Sequence, residues 1–351
     1  MELRPEEVAA YLGIEAEELS RWEDGTVEPP VEGLWDLAEL YGCGTDYFLT
    51  RTPPVPPEFA FRLPRRKAMR ELALEARKVI IRFGELCRAA QELEKVSGVK
   101  RRVSVRAYPE EQDPNRLAME ERQRLGLGER PIPDLRAVIE EQGVRVFELE
   151  VPENEFSGFS WWHAEYGPCI LVNGRDERGR RSFTLAHEYA HILRPDAPHV
   201  CDPAADIDMA DERFANRFAV VLLMPASDVR EAFRLRVPSG VALTSQQLGS
   251  LADRYRASLH ATAIRLEEVG LVPGGTTQSL IAEWEARPRR YRAPRRPAWW
   301  RQLGENYVSL AFEAQSQGHI SVGKLAQYLG LPVRKVIGEM EKRGSQNAGG
   351  S

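Results

Sequence analysis

Arg181-Ser182-Phe183-Thr184-Leu185-Ala186-His187-Glu188-Tyr189-Ala190-His191-Ile192-Leu193 is the stretch that decides the fold. Phe183, Leu185, Ala190 and Ile192 are apolar positions that fit a helix, and Ser182 or Thr184 stands near the start of the run. His187 and His191 are four residues apart, so a helix carries both imidazoles on one face, about one turn from each other. Two imidazoles so placed can share one divalent ion at about 2.0–2.1 Å. Glu188 follows the first imidazole directly. Its carboxylate would lie near the ion without ligating it, where it can accept a proton and pass it on.

Such a site needs a third protein ligand and an open fourth position. Glu212 is the candidate, on a second predicted helix, Asp211 to Leu223, that stops at Met224-Pro225. Phe214, Phe218, Val221 and Leu222 form an apolar stripe on that helix, suited to packing it antiparallel against the first. Two imidazoles and one carboxylate form a catalytic zinc set; zinc is the expected ion, with manganese as the alternative. His163 and His199 are candidate transition-state stabilisers, set against readings as structural and solvated histidines. Cys201 is a candidate inhibitory thiolate for the fourth position.

These residues in combination resemble the ImmA/IrrE family of metallopeptidases. The resemblance runs over roughly 112–272. It rests on Gly126-Leu127-Gly128, Pro131-Ile132, Ser157-Gly158-Phe159, Ile170-Leu171-Val172-Asn173, the 181–191 run, Glu212-Arg213-Phe214-Ala215-Asn216-Arg217-Phe218-Ala219 and Leu222-Leu223-Met224-Pro225. It implies a zincin-like fold in which His187, His191 and Glu212 hold the metal and Glu188 is the general base. It also implies a protein substrate, typically a helix-turn-helix repressor whose cleavage relieves repression in stress or mobile-element responses. Residues 244–271 resemble the helical segment that follows the peptidase core in that family.

Outward from this core the chain reads as α+β and mostly helical. A zincin-like domain with a small β-sheet (112–235) is flanked by helical regions. Strands are expected at Val144 to Leu149 and Pro168 to Val172. Residues 1–50 resemble an XRE-type helix-turn-helix, through Val8-Ala9-Ala10-Tyr11-Leu12-Gly13 and Leu19-Ser20-Arg21-Trp22-Glu23-Asp24-Gly25, with the usual first helix missing. A Pro-rich linker and a long helix, a spacer or a packing element, occupy 51–111. A helical helix-turn-helix-like extension fills 236–275, an Arg/Pro-rich linker 276–297, and a C-terminal helical region 298–343. The tail 344–351 is expected to be disordered. No repeat of fixed period stands out; 8–25 and 248–266 share only the helix-turn-helix type.

The charge distribution narrows the partners. Residues 1–50 carry two basic against thirteen acidic residues, a balance of −11; the chain total of −5 leaves +6 for the remainder. Duplex affinity rests mainly on Lys and Arg neutralising phosphates, so the acidic unit argues against DNA binding there and suits protein docking. Arg287, Arg289, Arg290, Arg292, Arg295, Arg296 and Arg301 could meet nucleic acid or that acidic unit, or simply be solvated. Four scattered cysteines, Cys43, Cys87, Cys169 and Cys201, lack metal-knuckle spacing and suit reduced thiols. No apolar run reaches membrane-spanning length and no secretion signal opens the chain, so a cytoplasmic location without membrane contact is expected. The functional expectation is a zinc endopeptidase acting on a regulatory protein. Two alternatives are a DNA-binding transcriptional regulator with a peptidase-like sensor domain, and a toxin–antitoxin-like or phage-linked interaction protein.

Overall fold

The computed structural model describes residues 3–41, 48, 72–109, 111–153, 155–195, 209–286 and 299–348. Three short helices open the chain: α1 (Pro5–Leu12), α2 (Ala16–Glu23) and α3 (Val31–Tyr41). The long α4 (Leu74–Val96) follows, then α5 (Pro114–Arg124) and α6 (Leu135–Glu141). Next come strands β1 (Arg145–Leu149), β2 (Gly158–His163) and β3 (Gly167–Asn173) and the pair α7 (Arg178–Leu193) and α8 (Met209–Leu223). Behind them lie α9 (Ala226–Arg236), α10 (Ser245–Tyr255), α11 (Leu259–Glu268) and α12 (Thr277–Glu285). The chain ends in α13 (Trp299–Leu303), α14 (Glu305–Ser316), α15 (Val322–Leu329) and α16 (Val333–Ala348). The described residues are thus mostly helical with one small mixed sheet, and no described helix is long and apolar enough to cross a membrane.

The sheet has the order β1-β3-β2, with β1 parallel and β2 antiparallel to β3. Alternation along each strand sends side chains to two different cores. Val146, Ile170 and Val172 face a large cluster built with α5 to α12. Phe147, Phe159, Trp161, Cys169 and Leu171 face a second cluster made with α4, α14 and α15. The long helix is therefore a packing element: Ile80, Phe83, Leu86 and Leu93 lie against the back of the sheet. Phe83 meets Phe159 and Phe147 edge-on, with ring centroids 5.1 and 6.0 Å away.

Strand β2 is not expected from the sequence. Phe159 and Trp161 point to one core, but the intervening positions are Gly158 and Ser160, which hide the alternation although both are buried. Gly158 must lack a side chain because α7 crosses close above. A Cβ at Gly158 would come 2.6 Å from Thr184 Cγ2 and 2.5 Å from the Leu171 carbonyl oxygen. Two further expectations are revised: the long helix, expected from Arg66, begins at Leu74, and α16 continues through Ala348 into the expected disordered tail, while the 298–343 region is helical as expected and divides into four helices. Gly304 at φ 97° and Gly330 at φ 63° mark two of the breaks. Cys87 and Cys169 are buried free thiols, as the scattered spacing suggests. Cys43, Cys201 and the Arg-rich stretch up to Arg296 lie outside the described residues.

Two buried arginines hold the far end of α8. Arg122, 1% exposed, donates to the carbonyls of Leu222, Arg130 and Gly128, the last at 2.7 Å. Arg265 donates to the carbonyl of Met224 at 2.9 Å. Carbonyls at a helix C-terminus have no intrahelical partner, and these guanidinium groups supply one inside the core.

Truncating Phe83 tests the packing role of α4. Phe83→Ala should lower unfolding stability by about 3–5 kcal/mol, the range for a fully buried aromatic. Denaturant unfolding followed by far-UV circular dichroism reads this directly; a loss below about 1 kcal/mol would mark α4 as a detached spacer.

Candidate metal centre

The centre is assembled by the antiparallel pair α7 and α8. Leu185, Ala186, Tyr189, Ile192 and Leu193 of α7 pack with Phe214, Ala215, Phe218 and Leu222 of α8 in one core cluster. The pair is also tied at its open end. Arg194, just past α7, binds Asp211 at 3.0 Å and lies over the Phe214 ring, 4.2 Å from its centroid. Asp211 precedes Glu212, so this contact fixes the turn of α8 that carries the carboxylate.

Tyr189 anchors the opposite face of α7. Its hydroxyl donates to Glu121 Oε1 at 2.5 Å, and Arg124 donates to the same carboxylate at 2.6 Å. Burial, followed by the adjoining Glu121 charge, pushes the phenol far above its ordinary range, so it remains a donor. Glu121 itself is fully buried and would be costly to leave with fewer partners.

With both helices fixed, the predicted side chains converge. One ligand atom from each of His187, His191 and Glu212 lies within 4.8 Å of the others. The two Nε2 atoms are 3.2 Å apart; Glu212 Oε2 is 3.3 Å from His187 Nε2, and Oε1 is 3.6 Å from His191 Nε2. Ligands at about 2.05 Å around a tetrahedral ion stand about 3.3 Å apart, so the donor set fits a zinc-sized ion. Glu212 is 39% exposed while the histidines are 13% and 9% exposed, so the cluster faces solvent on the carboxylate side. Glu188, 5% exposed, is buried on the same helix, and its charge is felt by His187.

The electrostatics agree with this crowding. Burial opposes a charged His187, but its hydrogen bond to Glu212 and the charges of Glu188 and Glu212 outweigh that and raise its pKa. Hydrogen bonds from His187 and then His191 hold the Glu212 carboxyl far below the ordinary range despite desolvation. The His187 shift favours positive charge on the imidazole and the Glu212 shift favours negative charge on the carboxylate, so each group stabilises the opposite charge on its neighbour.

Sequence reading missed Asn216. Its Oδ1 lies 3.0 Å from His187 Nδ1. A His187 that donates Nδ1–H to this oxygen can offer the Nε2 lone pair to an ion once the Nε2 proton shared with Glu212 is displaced. Asn216 stands four residues after Glu212, and this one-turn spacing on the second helix was the available signal.

His163 does not join the cluster. It ends β2, where its Nδ1 accepts from the backbone N–H groups of Glu165 and Tyr166, both at 3.1 Å. Its ring stacks on Tyr166 at 4.1 Å between centroids. Burial lowers its pKa, only partly opposed by Glu165. In this position it closes the turn between β2 and β3. His199 lies outside the described residues.

Comparison with known proteins agrees with this geometry. Residues 139–267 match the family model of the IrrE N-terminal-like domain, Peptidase_M78. That span starts on α6, takes in the sheet and the α7–α8 pair, and ends on α11, so the part of the chain that carries the candidate centre is the part similar to that domain. No curated protein matches. Among solved structures, a Mycobacterium tuberculosis transcriptional regulator is similar at 16% identity and a TM-score of 0.26, a likeness too weak to bear on function. The match covers 52% of this chain and 46% of that one, so the chain spans less than half of that regulator.

Tyr189→Phe isolates the anchor. Removing the donor while keeping the ring should cost about 1–3 kcal/mol of stability, the range for depriving a buried carboxylate of a partner. Thermal unfolding measures it; an unchanged melting temperature would mean that Glu121 is satisfied without Tyr189.

Proposed function

We propose that the protein is a zinc-dependent endopeptidase that hydrolyses a peptide bond in a regulatory protein, most simply a helix-turn-helix repressor. The observation that carries this is the convergence of His187, His191 and Glu212 from two helices at the spacing a tetrahedral ion requires. In this reading those three residues hold the ion and Glu188 is the general base. Two imidazoles and one carboxylate suit zinc better than manganese, which favours oxygen donors. The match of 139–267 to a peptidase family supports the same reaction class.

Bound there, a zinc ion would supply Lewis acidity, polarising the scissile carbonyl and making water easier to deprotonate. The remaining work belongs to the protein. Glu188 accepts a proton from the attacking water and returns it to the leaving amide nitrogen. Its burial limits competing hydration of the carboxylate. Asn216 fixes the His187 tautomer so that Nε2 keeps its lone pair. Core packing on α7 and α8 keeps the ligand atoms near their final separation before any ion arrives, which reduces the ordering cost of binding.

Glu188→Gln should leave zinc content and fold intact while reducing cleavage of a co-encoded helix-turn-helix repressor by at least about 100-fold. Metal analysis, circular dichroism and gel-monitored cleavage read the three properties. Undiminished cleavage would remove Glu188 from the mechanism, and zinc-free purified protein that still cleaves would end the metallopeptidase reading. Asn216→Ala should weaken zinc binding by about 10–100-fold, with Asn216→Asp retaining most of it, as judged by competition with a chromophoric chelator.

A further inference from the structure

Among the described residues, three places share one local architecture. Helix α1 ends at Leu12, α10 at Tyr255 and α15 at Leu329. Each is followed by a residue in the left-handed region: Gly13 (φ 68°), Arg256 (φ 50°) and Gly330 (φ 63°). The next residue's N–H then returns to the preceding helix, from Ile14 to Ala9, Ala257 to Ala252 and Leu331 to Ala326, each at 3.0 Å. The second helix starts at Ala16, Leu259 and Val333. Equivalent interior positions are buried in all three: Val8, Leu251 and Leu325; Ala9, Ala252 and Ala326; Leu19, Thr262 and Val336. These are helix-turn-helix units, and the third was not seen from the sequence.

What each second helix offers to solvent differs. Helix α2 carries Glu17, Glu18 and Glu23 against Arg21, a surface that a phosphate backbone repels. In α11, Ala261, Thr262, Ala263, Arg265 and Leu266 are buried, and Arg265 is committed to the Met224 carbonyl, so that helix is consumed by packing. Only α16 is both exposed and basic at its start. Val333, Arg334, Lys335 and Ile337 are all exposed, with Val333 at 46% and Ile337 at 45%. Neither Arg334 nor Lys335 has an ion-pair partner among the described residues.

Folding alone does not account for this face. Cations in the first turn oppose the helix dipole, and two β-branched apolar side chains in water gain nothing from burial. A local rule broken without structural compensation marks a functional surface. The surroundings have the matching charge: residues 286–351 contain twelve Lys and Arg against four Glu, a balance of +8, opposite in sign to residues 1–50.

We propose that α15–α16 is a DNA-reading head: the face of α16 bearing Val333, Arg334 and Ile337 enters the major groove of duplex DNA, and Lys335 contacts backbone phosphate. Arg suits guanine O6 and N7, and exposed aliphatic groups suit thymine methyls. This docking requires only that the second helix project its first turns into the groove, and those are the turns α16 leaves uncovered. The inference does not rest on the peptidase reading, and it moves the expected DNA contact away from the acidic N-terminal unit to the opposite end of the chain.

Fluorescence anisotropy of the full chain with a labelled random-sequence 30-base-pair duplex tests it, followed by selection from a randomised duplex pool. Binding should weaken linearly in log–log form as salt rises. Arg334→Ala with Lys335→Ala should weaken it about tenfold or more and lower the salt slope by about 1, the share of the one phosphate contact, Lys335. Val333→Ser with Ile337→Ser should flatten the selected sequence preference while leaving the salt slope unchanged. All four side chains are exposed, so the variants should melt with the parent. The proposal is overturned if the full chain does not bind the duplex at low salt, if the Arg334/Lys335 variant binds as the parent does, or if substituting Arg287 to Arg296 alone abolishes binding. It is equally overturned if the selected face captures an acidic protein and no duplex.

Discussion

Everything at the candidate centre depends on the packing of α7 against α8. The two imidazoles share a helix face by local geometry alone, but the carboxylate comes from a second helix whose angle and register must be fixed to within an ångström or so. The core cluster fixes the angle, the Arg194–Asp211 pair with Phe214 fixes the near end, and Arg122 and Arg265 fix the far end. The buried arginines work because the end of a helix inside a core leaves carbonyls that nothing apolar can satisfy.

The sheet connects this pair to the rest of the molecule. Its two faces belong to two cores, so the long α4 and the C-terminal helices support from behind the same strands that α7 crosses in front. Gly158 has no side chain because Thr184 of α7 and the Leu171 carbonyl lie against it. The cost of that close approach is a strand whose pattern is hard to recognise, and β2 was missed for this reason. His163 ends this strand and closes the turn to β3, contacts that an unrecognised strand could not reveal.

Three helix-turn-helix units of one geometry serve three ends. The middle one is packed as part of the core around α8, the first presents acid, and the last presents base and bare aliphatic groups. Shared turn geometry therefore says little about use, which depends on the side chains the second helix leaves uncovered.

The sequence by itself determined the two motif helices, three of the centre's side chains, the buried carboxylate beside them, and a mostly helical chain with a small sheet. Those features are local: four-residue spacing, apolar stripes and a proline stop act within one or two turns of helix. Only the tertiary structure decided that Asn216 orients His187, that His163 stands apart, that α4 packs rather than spans, and that a third helix-turn-helix faces solvent. Each of those depends on which surfaces meet across long sequence separations, and the pattern within a segment does not encode its neighbours in space.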